Sequence, residues 1–198
     1  MGRYTVVITG ASGSAYGMRV VEQLALAGHE VSVTMTESGR DVTSYELGFD
    51  LPMAEPAKAI KRYLELTEEA QVRYACANDL FDPIASGSHC VDAMVVVPAS
   101  MGFIASVANG LANNLPERAA DVILKERKTL VLVPRETPLS LVHLRNLTRL
   151  AEAGAVILPA MPAFYQRPQT IDDQVSFVAG KVLDVLGVEH SLFGRWGE

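Results

Sequence analysis

Arg135 and Glu136 stand side by side between Pro134 and Pro138, so a cation and an anion are held on a short, stiff loop. Such a pair is more than solubility requires. Lys125 and Lys181 join Arg135 as candidate phosphate binders, and Glu46 joins Glu136 as a candidate proton acceptor. Three loops rich in small and hydroxyl residues complete the set: Gly10-Ala11-Ser12-Gly13-Ser14, Ser86-Gly87-Ser88 and Pro98-Ala99-Ser100-Met101-Gly102. At the start of a helix, such a loop suits a phosphate or a flat ring through its backbone N–H groups and the helix dipole. The combination fits a phosphorylated cofactor, a phosphorylated substrate, or both. Each residue also has a plainer reading. Arg118, Asp121 and Lys125 share one helical face and could be a solvated salt-bridged surface. Ser38 could simply cap a helix, and Glu46 could be an ordinary surface carboxylate.

The elements that must position these residues follow from patterning. Asp92–Pro98 (DAMVVVP) and Thr129–Pro134 (TLVLVP) are β-branched, apolar on both faces and closed by proline, as buried parallel strands require. Tyr4–Thr9 and Val31–Met35 read as two more strands, Ala155–Pro159 as a fifth core strand, and Val72–Ala75 as a short addition. Helices are expected from about Ala15 to the stop at Gly28, after Thr36–Gly39, and over Glu55–Leu66. Further helices are expected from Ser100 to about Leu111, from Pro116 onward, over Leu139–Ala153, and over Ile171–Leu186 with Lys181 on it. Strands alternating with helices make a doubly wound parallel sheet in three layers, and ligands bind such sheets at the strands' carboxyl ends.

Composition narrows the function. The chain has 198 residues, 49% hydrophobic and 20% charged, which is one folded domain spanning 1–198. A net charge of −6 argues against non-specific nucleic-acid binding. No apolar run approaches the roughly 20 residues of a membrane span, and no export signal is visible, so a cytoplasmic protein with Cys76 and Cys90 reduced is expected. His29, His89, His143 and His190 are scattered, so no metal site is expected. G-x-S-x-G is missing, as are G-x-G-x-x-G and the P-loop.

The motifs Thr9–Gly13 (TGASG), Ser86–Ser88 (SGS), Pro98–Met101 (PASM), Asn114–Arg127 (NLPERAADVILKER), Leu130–Leu139 (LVLVPRETPL), Pro159–Pro168 (PAMPAFYQRP) and Val182–His190 (VLDVLGVEH) occur in order over nearly the whole chain. In this the sequence resembles the UbiX-like flavin prenyltransferases, formerly described as aromatic-acid decarboxylases. The resemblance implies a flavodoxin-like, Rossmann-type fold and a homododecamer. It implies metal-independent transfer of a dimethylallyl group from dimethylallyl phosphate to N5 and then C6 of reduced FMN. The prenylated FMN would go to a UbiD-like decarboxylase. Carried over by position, Gly10, Ala11, Ser12, Ser38, Ser100, Met101, Gly102, Phe103 and Arg135 bind FMN. Ser86, Gly87, Arg118, Lys125, Glu136, Tyr165, Lys181 and Trp196 meet the prenyl phosphate. Ser12, Glu46, Lys125 and Glu136 serve catalysis, and the tail 188–198 makes oligomer contacts or covers the site. Two positions depart from the family: Lys181 stands where many relatives carry arginine, and Phe103 where a small hydroxyl residue is common. The alternatives are an FMN-dependent decarboxylase of the cysteine-decarboxylase type and a non-catalytic flavin-binding subunit. The former is disfavoured because the loop Gly10–Gly17 has no histidine.

Overall fold

A computed structural model describes residues 1–89 and 91–195. Six parallel strands form one sheet in the order β3-β2-β1-β4-β5-β6. They are β1 Arg3–Ile8, β2 Glu30–Met35, β3 Val72–Tyr74, β4 Ala93–Ala99, β5 Thr129–Pro134 and β6 Val156–Ile157. The helices are α1 Ser14–Leu26, α2 Glu37–Leu47, α3 Pro56–Tyr63, α4 Met101–Ala108, α5 Leu115–Lys125, α6 Leu141–Glu152 and α7 Ile171–Leu186. This is the doubly wound α/β architecture, with the order reversing between β1 and β4. No helix among the described residues is long and apolar enough to cross a membrane.

The apolar run in β4 is explained by its two faces. Ala93, Val95 and Val97 enter one core with α1, α3 and α7, while Met94 and Val96 enter the other with α4, α5 and α6. A central strand of a parallel sheet has no solvent face, so alternation disappears. β4 does not end at Pro98 as expected. It continues to Ala99 through a register irregularity between Val96 and Ala99. Proline has no N–H for the ladder, so the pairing skips it and the strand resumes.

β6 departs further from expectation. It is a two-residue, half-buried edge rather than a five-residue core strand. It pairs on one side only, with β5, and beyond Ile157 only single N–H bonds, from Leu158 to Leu132 and from Ala160 to Pro134, continue toward β5. Helix starts follow local capping. Thr36, Ser100 and Asn114 each accept an N–H from their own first turn, and Ser140 and Thr170 form capping boxes. Ser38 lies inside the first turn of α2 and Thr36 caps it, so the capping role expected of Ser38 belongs to its neighbour.

Candidate functional site at the carboxyl edge of the sheet

The loop Thr9–Ser14 joins β1 to α1 at the point where the strand order reverses. Thr9 is buried and clasps two strand ends. Its hydroxyl donates to the Pro98 carbonyl at 2.8 Å and accepts from the Ser100 N–H at 2.7 Å. The loop can pass close to α2 only because residue 10 is glycine. A Cβ there would lie 2.7 Å from the Ser38 Cβ. Ser38, Ser100 and Phe103 line a crevice of about 480 Å³ beside this loop. A cleft of that size lies within the range of cofactor sites.

The helix N-terminus in this loop already holds an anion. The Glu46 carboxylate accepts the Gly13 N–H at 2.9 and 3.1 Å and the Ser14 N–H at 2.9 Å. Burial would raise its pKa, but hydrogen bonds from the Ser12 hydroxyl, the Gly13 and Ser14 backbone and the Ser14 hydroxyl outweigh this and hold it below the usual carboxylate value. The reading of Glu46 as an idle surface carboxylate is therefore corrected. Of the two occupants considered for the Gly10–Gly13 loop, a phosphate at the α1 terminus is displaced by Glu46, which fills that place and leaves the flat ring as the remaining reading.

Arg135 reaches across the edge, its Nε donating to the Ser12 carbonyl at 3.1 Å. Glu136 does not pair with it. One Glu136 oxygen accepts the Thr137 N–H at 2.9 Å, and the side chain is exposed. Tyr16 is a member of this group that sequence reading missed. Burial pushes its phenol pKa up, Arg135 pulls it down, and Glu46 adds to the rise, so both charges act on the phenol. Its position in the first turn after the small-residue loop was the available signal. Ala11 is buried, Ser12 is exposed, Met101 is buried and Gly102 is exposed at the start of α4.

A second group lies at the opposite edge. Ser86, Gly87 and Ser88 precede β4, and Lys125 closes α5 just before β5. The Ser86 and Ser88 hydroxyls are 2.8 Å apart. A Cβ on Gly87 would come within 2.9 Å of the Lys125 Nζ, so loop and ammonium touch. Arg118 donates to the Ala85 carbonyl at 3.2 Å and to Asp121 at 2.7 Å, while Lys125 rests on Glu126. Six residues of β5 separate Lys125 from Arg135–Glu136, about 20 Å at the rise of a strand. One protomer therefore does not bring Lys125, Arg118 and Ser86–Gly87 together with Glu136 and Ser12. Lys181, exposed on α7, donates to Asp184 at 3.0 Å, and the half-exposed Tyr165 ring stacks edge-on to Phe177 at 6.0 Å. Trp196 and Cys90 lie outside the described residues, and Cys76 is exposed and unbridged.

Comparison with known proteins identifies the family and the fold. Residues 2–183 match the flavoprotein family model. A flavin prenyltransferase UbiX of Halalkalibacterium halodurans is 47% identical over 197 residues, which cover 100% of this chain and 94% of that protein. A crystal structure of AnUbiX (PadA1) in complex with FMN and dimethylallyl pyrophosphate superposes with a TM-score of 0.88 at 35% identity, covering 100% of this chain and 98% of that one. A dodecameric FMN-dependent UbiX-like decarboxylase from Escherichia coli O157:H7 superposes at 0.87 and 35% identity, covering 99% and 100%. The chain belongs to the UbiX flavin prenyltransferase family of flavoproteins.

Proposed function

We propose that this chain transfers a dimethylallyl group from dimethylallyl phosphate to N5 and C6 of reduced FMN, and that the prenylated FMN is then used by a UbiD-like decarboxylase. The observation that carries this reading is the second, cationic group. A protein that only bound FMN would need the carboxyl edge alone, yet Lys125 and Arg118 are gathered around a Ser-Gly-Ser loop as well. Gly10, Ala11, Ser12, Ser38, Ser100, Met101, Gly102, Phe103 and Arg135 form the FMN site in this reading, with Gly10 letting the loop pack directly against Ser38.

Reduced FMN, when bound, supplies the nucleophilic ring atoms. The chain's own residues do the rest. Lys125, Arg118, Lys181, Tyr165 and the N–H groups of Ser86-Gly87-Ser88 hold the phosphate and stabilise the charge it gains as the allylic C–O bond breaks. Glu46, kept ionised, fixes the Ser12 hydroxyl and leaves it an oriented partner for the acceptor ring. Glu136, exposed and unpaired with Arg135, is the proton acceptor for the later step.

The distance between the two edges is bridged by symmetry. A homododecamer, as in the E. coli relative, lets one copy supply the flavin loop and another the cationic loop, which suits two half-sites about 20 Å apart on one protomer. The whole of 1–198 acts as a single domain, its tail at a copy-to-copy contact or over the site. Reduced flavin is most readily kept in a reducing compartment, which favours the cytoplasm.

Anaerobic incubation with reduced FMN and dimethylallyl phosphate, followed by mass spectrometry of the extracted flavin, tests the reading. A mass increase of one dimethylallyl unit is expected. Unmodified FMN, still bound, would identify a flavin carrier instead.

A further inference from the structure

The crossover from β3 to β4, residues 75–92, passes over β2 and β1 with a single 3₁₀ turn, Pro83–Ala85, as its only regular structure among the described residues. A doubly wound fold ordinarily fills such a crossover with a helix gripping apolar side chains. Here the sheet beneath is polar. Thr5, Ser32 and Thr34 alternate with Val6, Val31 and Val33, so they face the side on which the crossover's Ala75, Ile84 and Val91 pack. Three modest apolar anchors are little to locate eighteen residues that end in the Ser86–Ser88 loop.

A polar latch supplies the missing register. Arg73, on β3, donates from Nη1 and Nη2 to the two Asp82 oxygens, each at 2.8 Å, and from Nε to Ser32 at 2.8 Å. Asp82 is nearly buried, with 10% of its side chain exposed. The same carboxylate accepts the Ile84 N–H at 3.1 Å and so starts the 3₁₀ turn. The turn's last residue, Ala85, gives its carbonyl to Arg118. A continuous chain of contacts thus runs from the sheet edge through Arg73, Asp82 and the turn to Arg118, beside Ser86. Burial would raise the Asp82 pKa, but the Arg73 hydrogen bonds outweigh it, so the carboxylate stays ionised.

We infer that Arg73 and Asp82 are positioning residues for the prenyl-phosphate half-site: their bidentate pair sets the Ser86-Gly87-Ser88 backbone at the height at which Lys125 and Arg118 share an anion with it. This rests on the function proposed above. Neither residue belongs to the flavin loop, and neither touches the anion.

Asp82→Asn and Arg73→Lys in the intact assembly test it. Asp82→Asn keeps the shape and one acceptor but loses the fork. Its KM for dimethylallyl phosphate is expected to rise about tenfold or more, the scale of weakening one hydrogen bond to a charged ligand. The kcat at saturation and the FMN dissociation constant are expected within about twofold of wild type. Arg73→Lys, which keeps the charge without the planar fork, is expected to fall between. Amide exchange should quicken at residues 84–89 and stay unchanged at residues 10–14. A KM equal to wild type overturns the inference whatever the melting temperature does, and so does unchanged exchange at 84–89. If the wild type itself fails to prenylate FMN, the functional reading has failed, and exchange alone judges the latch.

Discussion

The two half-sites hold their charges in opposite ways. At the carboxyl edge, the Glu46 charge is fixed by backbone N–H groups from a loop more than 30 residues away in sequence, and Arg135 is fixed by a backbone carbonyl. In the cationic group, each candidate phosphate binder rests on an acid close behind it. Arg118 pairs with Asp121, Lys125 with Glu126, and Lys181, over on α7, follows the same pattern with Asp184. All of these cations are well exposed, and pairs of that kind contribute little. A phosphate carrying two charges can displace such carboxylates without disturbing the fold. On the proposed reading, the flavin side is therefore preorganised and the phosphate side is exchangeable. That suits a ring that must be held still while a substrate comes and a product phosphate goes.

Glu46→Gln is the strongest way to break the contrast. The amide keeps one acceptor but turns an –NH₂ toward the Gly13 and Ser14 N–H groups and removes the charge from the α1 terminus. Prenyl transfer should fall about a hundredfold or more, the scale of losing a preorganised charge-oriented donor at a reacting centre. The fold should persist. The pH dependence follows with a definite sign. The folded-state pKa of Glu46 is depressed, so its contribution to loop order is fully present above the usual carboxylate range and is lost as pH falls through the folded value. FMN affinity measured from pH 7 downward should drop in that window for the wild type and stay flatter in Glu46→Gln.

Lys125→Ala comes next. Loss of one charge-assisted contact of roughly 1.5–3 kcal/mol predicts a ten- to hundredfold weaker affinity for dimethylallyl phosphate, with FMN binding largely unchanged because Lys125 meets the prenyl phosphate and not the flavin in this reading. Mixing it with Glu46→Gln protomers before assembly sharpens the comparison. If the site is shared between copies, about a quarter of sites in an equal random mixture regain both residues, so activity should exceed that of either variant alone. If each protomer carries a complete site, the mixture stays at the average of the two.

Much of this was legible in the sequence, and what escaped has a common cause. The valine runs of β4 and β5 announced a sheet covered on both sides. The small-residue loop after β1 announced a tight strand-to-helix turn, and it lies where the strand order reverses. The resemblance named residues for both half-sites but did not say which end of the sheet each occupies. Lys125 and Glu136 are only eleven positions apart in sequence, and a strand lies between them, so nearness along the chain becomes distance in space. Glu46, Tyr16 and the Arg73–Asp82 pair draw their roles from contacts made only after folding. No local pattern marks a carboxylate as the cap of a helix that starts 32 residues earlier. Edge length escaped as well: Ala155–Pro159 reads as a full strand, yet only Val156 and Ile157 take strand register with β5.

The smallest expected effect separates capping from ligand binding within one turn. Thr36 and Ser38 are both hydroxyl residues at the start of α2, with their oxygens 3.3 Å apart. Thr36 takes the Gly39 N–H at 3.0 Å, so it satisfies one of the helix's open donors. Thr36→Ala should cost about 1 kcal/mol of stability, the usual value of an N-cap, seen as a lowered midpoint in urea with an unchanged slope. Ser38 caps nothing and is exposed on the wall of the crevice beside Gly10. Ser38→Ala should leave stability within about 0.5 kcal/mol, as for most exposed positions, and weaken FMN by up to about tenfold if its hydroxyl makes one hydrogen bond to the ligand, a net contribution of roughly 0.5–1.5 kcal/mol. Urea titration and FMN titration on the same two variants decide it. If Ser38→Ala lowers the urea midpoint as much as Thr36→Ala and leaves FMN affinity unchanged, Ser38 belongs to the helix start and not to the flavin site.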